Sequence, residues 1–221
     1  MTTPYHHGNL RAALVDAGLE LARSKGPDGV VLREVARRVG VSHNAAYRHF
    51  SDREELLAEI AARGMHELSD AMQARSAALP EDLDEVTRAR RLLQEVGRAY
   101  VEFALAEPGL FATAFSGWAG PESPAHPHPI ADTGLAGPFE MLVAALDGLV
   151  GVGYLDPALR PRAEVSCWAA VHGFALLHLE GPLRDLGAPE REAALAVTLD
   201  TIDRGLGAGP SASLDPMVND R

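Results

Sequence analysis

Apolar residues recur at three- and four-residue spacing through almost the whole chain, and strand-like alternation is nearly absent, so the pattern predicts an all-α protein. Leu10, Leu14, Ala17 and Leu21 form one stripe that stops at Gly26-Pro27 and defines a first helix. Leu32, Val35, Ala36 and Val39 form the face of a short second helix, closed by Gly40, which suits the left-handed conformation after a helix C-terminus. Ser42 can cap a third helix running to about Phe50. Ser51-Asp52-Arg53-Glu54 reads as a capping box that opens a long fourth helix through Leu57, Ala61, Leu68 and Met72. After a break at Pro80 to Asp84, Thr87 to Ala106 carries Leu92, Val96, Tyr100 and Phe103, and Gly109 to Phe115 can hold a short helix. Ser116 to Pro138 contains five of the fifteen prolines and reads as a long loop. Phe139 to Val150, Pro161 to Leu179 and Glu190 to Gly205 complete the series, the middle one apolar nearly all round, and residues 207–221 read as a frayed tail.

Composition narrows the setting. The 221 residues allow one domain or two small ones, and a hydrophobic share of 47% is ordinary for a globular protein. The single cysteine, Cys167, excludes a disulfide framework and points to a reducing interior. The opening Met-Thr-Thr-Pro-Tyr-His-His-Gly has no secretory pattern, and the most apolar run, Val165 to Leu179, is too short to cross a membrane, so a cytoplasmic protein with no membrane partner is expected.

Charge divides the chain more sharply than composition does. The net charge is -11, yet residues 1–50 carry seven basic and four acidic groups, leaving thirteen basic and twenty-seven acidic beyond them. The first segment can approach phosphate and the second is repelled by it. With one lysine, Lys25, and no Gly-Lys-Ser/Thr, a Walker-type loop is excluded. No nucleophile elbow, zinc helix or complete dinucleotide fingerprint is present, so no enzyme, cofactor or metal is expected. His172 and His178 are six residues apart and point to different sides of a helix, while His126 and His128 lie in the loop without a carboxylate.

Two short helices joined by Gly40-Val41-Ser42 have the length and punctuation of a helix-turn-helix, which presents its second helix to the DNA major groove. At 100° per residue, Ala46 and Phe50 share the buried face of that helix, and Asn44, Ala45 and Arg48 lie opposite. Asparagine can pair bidentately with adenine and arginine with guanine. Tyr47 and His49 flank this arc, where they can donate to phosphate oxygens.

Leu32-Arg33-Glu34-Val35-Ala36-Arg37-Arg38-Val39-Gly40-Val41-Ser42, followed by Tyr47-Arg48-His49-Phe50 and Asp52-Arg53-Glu54-Glu55-Leu56-Leu57, resembles the DNA-binding domain of the TetR/AcrR family of bacterial transcriptional regulators. The opening Tyr5-His6-His7-Gly8-Asn9-Leu10-Arg11, with Trp168, His172 and Gly173, is similar to a subgroup carrying a Trp-His-Gly signature. The resemblance implies an all-helical homodimer with a DNA-binding domain at 1–50, a ligand-binding and dimerisation domain at 51–206 and a tail at 207–221. Its partners would be double-stranded operator DNA and a small-molecule effector, and its action that of a repressor. Ser42, His43, Asn44, Ala45 and Arg48 would face bases, while Tyr47, His49 and Arg53 would hold the backbone. Val31 stands where the family usually places a capping Ser or Thr, a loss that Arg33 can offset by reaching phosphate.

Beyond the DNA-binding segment, Tyr100, Phe103, Phe115, Trp118, Met141, Trp168 and His172 could line an effector pocket or equally form core. The two last long helices offer more apolar surface than one sheath of helices covers, so Phe174, Leu177, Val197 and Ile202 are the candidate dimer seam. The competing reading from another class is a helical adaptor without a DNA role.

Overall fold

The computed structural model describes residues 10–116 and 137–207. The core of the expected loop, with Trp118, His126 and His128, lies outside the described residues, as do the opening Tyr5 to Asn9 and the tail from 208 onward. Among the described residues there are nine α-helices and no strand. They are α1 (Leu10–Lys25), α2 (Leu32–Val39), α3 (His43–Tyr47), α4 (Arg53–Ala77), α5 (Glu85–Ala106), α6 (Pro108–Ser116), α7 (Pro138–Gly151), α8 (Ala163–Leu179) and α9 (Ala188–Gly207). A 3-10 turn, Pro27–Gly29, links α1 to α2.

Two boundaries differ from the pattern. The third helix ends at Tyr47, with Arg48 and His49 in a turn that brings Phe50 inside. The fourth helix is capped one residue later than expected. Asp52 Oδ1 accepts from Glu55 N at 2.8 Å and Glu55 Oε2 accepts from Ser51 N at 2.7 Å, so the capping bonds tie Glu55 to Asp52 and Ser51 rather than pairing Ser51 with Glu54.

The chain forms two compact units. The described residues of the first are 10–68 and 106–116, so it extends past the 1–50 segment that charge marks out. The cause is packing. Leu14, Leu21, Leu56, Ile60, Leu68, Leu110 and Phe111 are buried, and Gly18 lets α1 lie so close to α4 that an added Cβ would sit 2.6 Å from Ile60 Cδ1. Gly109 similarly admits α6 against the Ala22 and Arg23 carbonyls at the end of α1. Arg23 bridges these elements through Glu67 and Glu107.

The second unit holds residues 69–105 and 137–207. Leu93, Leu142, Leu146, Leu149, Leu155 and Cys167 form its core, with Trp168 and Ile202 packed against it. Gly97 gives close passage to Val171 of α8 and Leu199 of α9. Arg90 holds Asp203, a carboxylate only 1% exposed, through two hydrogen-bonding nitrogens. Burial pushes the Cys167 thiol up to about 11, so it stays protonated and inert. No helix among the described residues is long and apolar enough to cross a membrane.

Candidate nucleic-acid interface

The first unit builds an exposed corner from α2, the turn and α3. Gly40 sits at φ 77°, in the left-handed region where a Cβ is disfavoured, and closes α2 with its N–H on the Ala36 and Arg37 carbonyls. Val41 N–H also donates to the Ala36 carbonyl, at 3.0 Å, and reverses the chain. Ser42 is extended, and its hydroxyl accepts from Ala45 N–H at 3.2 Å, starting α3. Val35, Ala36, Ala46 and Phe50 are buried and fix the pair of helices to the body of the unit.

Burial of that face turns the polar residues out. Arg33, Ser42, His43, Asn44, Tyr47 and Arg48 are exposed, with Ala45 and His49 half-buried. The His43 and Tyr47 rings meet edge to face, 4.4 Å between centroids. A shallow groove of about 490 Å³ runs beside them, lined by Arg33, Glu34, Ala36, Arg37, Val41 and His43.

Ion pairing separates the arginines of this corner into two kinds. Glu34 accepts from Arg37 Nε and Nη2 at 2.8 and 2.7 Å and from Arg38 Nε at 3.5 Å. The hydrogen bonds from Arg37 hold the Glu34 carboxyl down to about 2. Arg33 and Arg48, among the described residues, face no carboxylate at ion-pair distance, and both are exposed. Their charge is therefore available to a polyanion, whereas the single Glu34 carboxylate partly offsets Arg37 and Arg38.

Arg53 is placed differently from the other residues expected on DNA. Its Nε donates to the Val30 carbonyl at 2.8 Å and its Nη2 to the Pro27 carbonyl at 2.7 Å, with Asp28 and Glu54 beside it. The guanidinium thus clasps the α1–α2 link to the start of α4. Sequence spacing gave no signal for this, because the accepting groups are backbone carbonyls 23 and 26 residues away. Val31 precedes α2 without a side-chain cap, as expected of a valine, and is 46% exposed.

The described effector-pocket candidates fall in both units. Phe115 belongs to the first unit and packs on Phe111 at 4.8 Å. In the second unit Trp168 Nε1 donates to the Tyr100 hydroxyl at 3.2 Å, and that oxygen lies 2.6 Å from His172 Nδ1. Burial raises the Tyr100 pKa and lowers that of His172, favouring the neutral form of both. Tyr100 and Phe103 are core residues, and Met141 is half-buried. Phe139, which the pattern did not single out, meets Trp168 edge to face.

The seam candidates divide by burial. Phe174 is 8% exposed, and the half-buried Ile202 packs on the core of its own unit. Leu177 is 45% exposed and Val197 63%, joined on the surface by Val165 and Leu176.

A small helical corner with a tight glycine turn, a buried apolar back and a cationic, amide-bearing front defines a helix-turn-helix DNA-binding protein. The chain belongs to the tetR family of bacterial regulatory proteins, whose DNA-binding profile matches residues 14–60; a tetracyclin repressor-like C-terminal domain matches residues 93–202. YobS, an HTH-type transcriptional regulator of Bacillus subtilis, is 29% identical over 109 residues, 48% of this chain and 52% of its own length, so the chain spans about half of that relative. An HTH-type regulator of Haemophilus influenzae is 47% identical over 51 residues, 23% of this chain and 25% of its own length. Among solved structures, a protein from Rhodococcus sp. RHA1 has a TM-score of 0.75 at 29% identity, covering 93% of this chain and 100% of that one. A TetR variant from Acinetobacter baumannii in complex with minocycline has a TM-score of 0.60 at 19% identity, covering 95% and 100%, a likeness of fold.

Proposed function

We propose that the protein is a repressor that binds a palindromic operator as a homodimer and leaves it when a small molecule binds the second unit. The observation that carries this reading is the exposed front of the helix-turn-helix, where Arg33, Asn44 and Arg48 are exposed and the two arginines have no carboxylate at ion-pair distance among the described residues. Asn44 and Arg48 are assigned to base edges with Ser42 and Ala45. Arg33, Tyr47 and His49 are assigned to phosphate, and His43 stays with the base-facing residues.

Trp168, His172 and Gly173 favour the Trp-His-Gly subgroup, and the Trp168–Tyr100–His172 chain of hydrogen bonds gives that signature a physical role in fixing α8 to α5. An effector acts by linkage. If it prefers a conformation of the dimer with the wrong separation of recognition helices, it weakens DNA binding, and DNA weakens its binding by the same factor. The minocycline bound by the Acinetobacter relative supports a small-molecule effector without naming one here. The setting is cytoplasmic, where operator and effector meet.

Selection of bound fragments from random duplex DNA tests the reading. The expected result is a palindrome with half-site centres about one helical turn apart, roughly 34 to 36 Å, or a multiple of it. Asn44→Ala and Arg48→Ala should each cost about 1 to 3 kcal/mol on the selected site and little on random DNA. No enriched sequence, or equal loss on both DNAs, would overturn the base-reading assignment.

A further inference from the structure

The recognition helix is so short that its ends decide its geometry. α3 has five residues, and a helix of that length has no stability of its own in water. The directions of Asn44, Ala45 and Arg48 therefore depend on what holds each end. At the N-terminal end the Ser42 hydroxyl and the buried Ala46 do so. At the other end the chain turns through Arg48, the C-cap, and His49, whose carbonyl lies one residue past that cap.

Arg11 meets that carbonyl. Its Nη1 donates to His49 O across 38 residues of sequence, and the same guanidinium donates to Glu55 at 3.3 and 3.4 Å and to Glu59 at 2.9 Å. The group lies 4.3 Å over the Phe50 ring, the buried anchor that follows the turn. Glu55 in turn accepts from Ser51 N–H, and this bond from Ser51, more than Arg11, lowers its pKa. One side chain from α1 thus joins the end of the recognition helix to the first two turns of α4.

We propose that Arg11 is a positioning residue for sequence reading. It sets the angle at which α3 presents Asn44 and Arg48, and acts through the His49 carbonyl rather than by touching DNA. The inference rests on the DNA-reading function proposed above. Charge-assisted bonds of this kind are stronger than neutral ones, and a single lysine donor replaces the arginine fork only in part.

The test uses the full-length protein and the site recovered by selection. In Arg11→Met the stem still covers Phe50 while the donors are gone, and operator affinity should fall about tenfold. Affinity for random duplex should stay within about twofold, and the slope of log affinity against log salt should not change. Hydrogen exchange at the Tyr47 to Phe50 amides should quicken, and Arg11→Lys should recover part of the operator affinity. A salt slope reduced by about one unit would make Arg11 a phosphate contact and overturn the proposal. Equal losses on operator and random DNA, or unchanged exchange, would overturn it as well. A parent protein that selects no sequence would refute the DNA-reading function itself, and the exchange rates would still decide whether Arg11 holds the helix end.

Discussion

Arginines with the same formal charge have different work in this protein, and their partners decide which. Arg53 resembles a phosphate contact in the linear sequence but donates to the Pro27 and Val30 carbonyls. Arg53→Ala should therefore lower the thermal midpoint and weaken binding to every duplex through a loosened corner. The salt slope should stay at its parent value, because no phosphate contact is lost. A slope reduced by about one would return Arg53 to the DNA. Glu34 supplies a second residue-scale test, since its bonds to Arg37 hold its carboxyl at about 2. The sign follows from linkage. A carboxyl whose pKa is depressed in the folded state stabilises that state above its unfolded value, and the contribution disappears as pH falls toward about 2. A carbon-13 titration of the Glu34 carboxyl should show this midpoint, and Arg37→Met should move it up toward the ordinary glutamate range. An unmoved midpoint would mean that the fork to Arg37 is not the cause.

At the scale of elements, α2 is the helix whose details matter most for binding, and both its ends invite a test. Val31 leaves its N-terminus without a side-chain acceptor. Val31→Thr keeps the β-branched shape and adds an oxygen, so it should raise stability by about 0.5 to 1 kcal/mol in urea denaturation. No gain would show that the exposed N–H groups are already well served by water. Glu34→Gln removes the carboxylate that holds Arg37 and Arg38, and should raise affinity for random duplex several-fold with a steeper salt dependence; an unchanged slope would place both arginines away from DNA. The helices themselves were legible in the sequence, because burial of one face imposes the 3.6-residue period and Gly40 and Gly26-Pro27 mark where it stops. The exposed front of α3 was legible for the same reason. What the period cannot show is pairing across the fold: Arg11 with His49, Arg53 with Pro27 and Val30, Arg23 with Glu67 and Glu107. Nor could it divide the aromatic residues between units, since Phe115 and Tyr100 carry the same helical spacing and differ only in which core closes over them.

For the whole molecule, the question is how a chain of net charge -11 holds DNA at all. Only the first fifty residues carry a net positive balance, and the acidic remainder repels the duplex, which limits non-specific binding and leaves affinity to the front of the helix-turn-helix. One such corner presents few base-reading side chains, so tight and selective binding calls for two corners acting together, the second at high effective concentration. A dimer would supply them, and the surface proposed for it is the exposed apolar part of α8 and α9. Cys167, Val171 and Phe174 are covered within the protomer, but Val165, Leu176, Leu177 and Val197 remain on its surface. Leu177→Arg is the sharp test because the side chain is 45% exposed, so the protomer can fold with the charge in water. In a dimer the same charge would be pressed against apolar surface or its own copy without a partner. Light scattering should then report a folded monomer, and operator affinity should fall much more than affinity for random duplex, since each corner keeps its contacts and only their coupling is lost. A mutant that remains dimeric would move the interface away from this face, and a monomer with parental operator affinity would show that one recognition helix suffices.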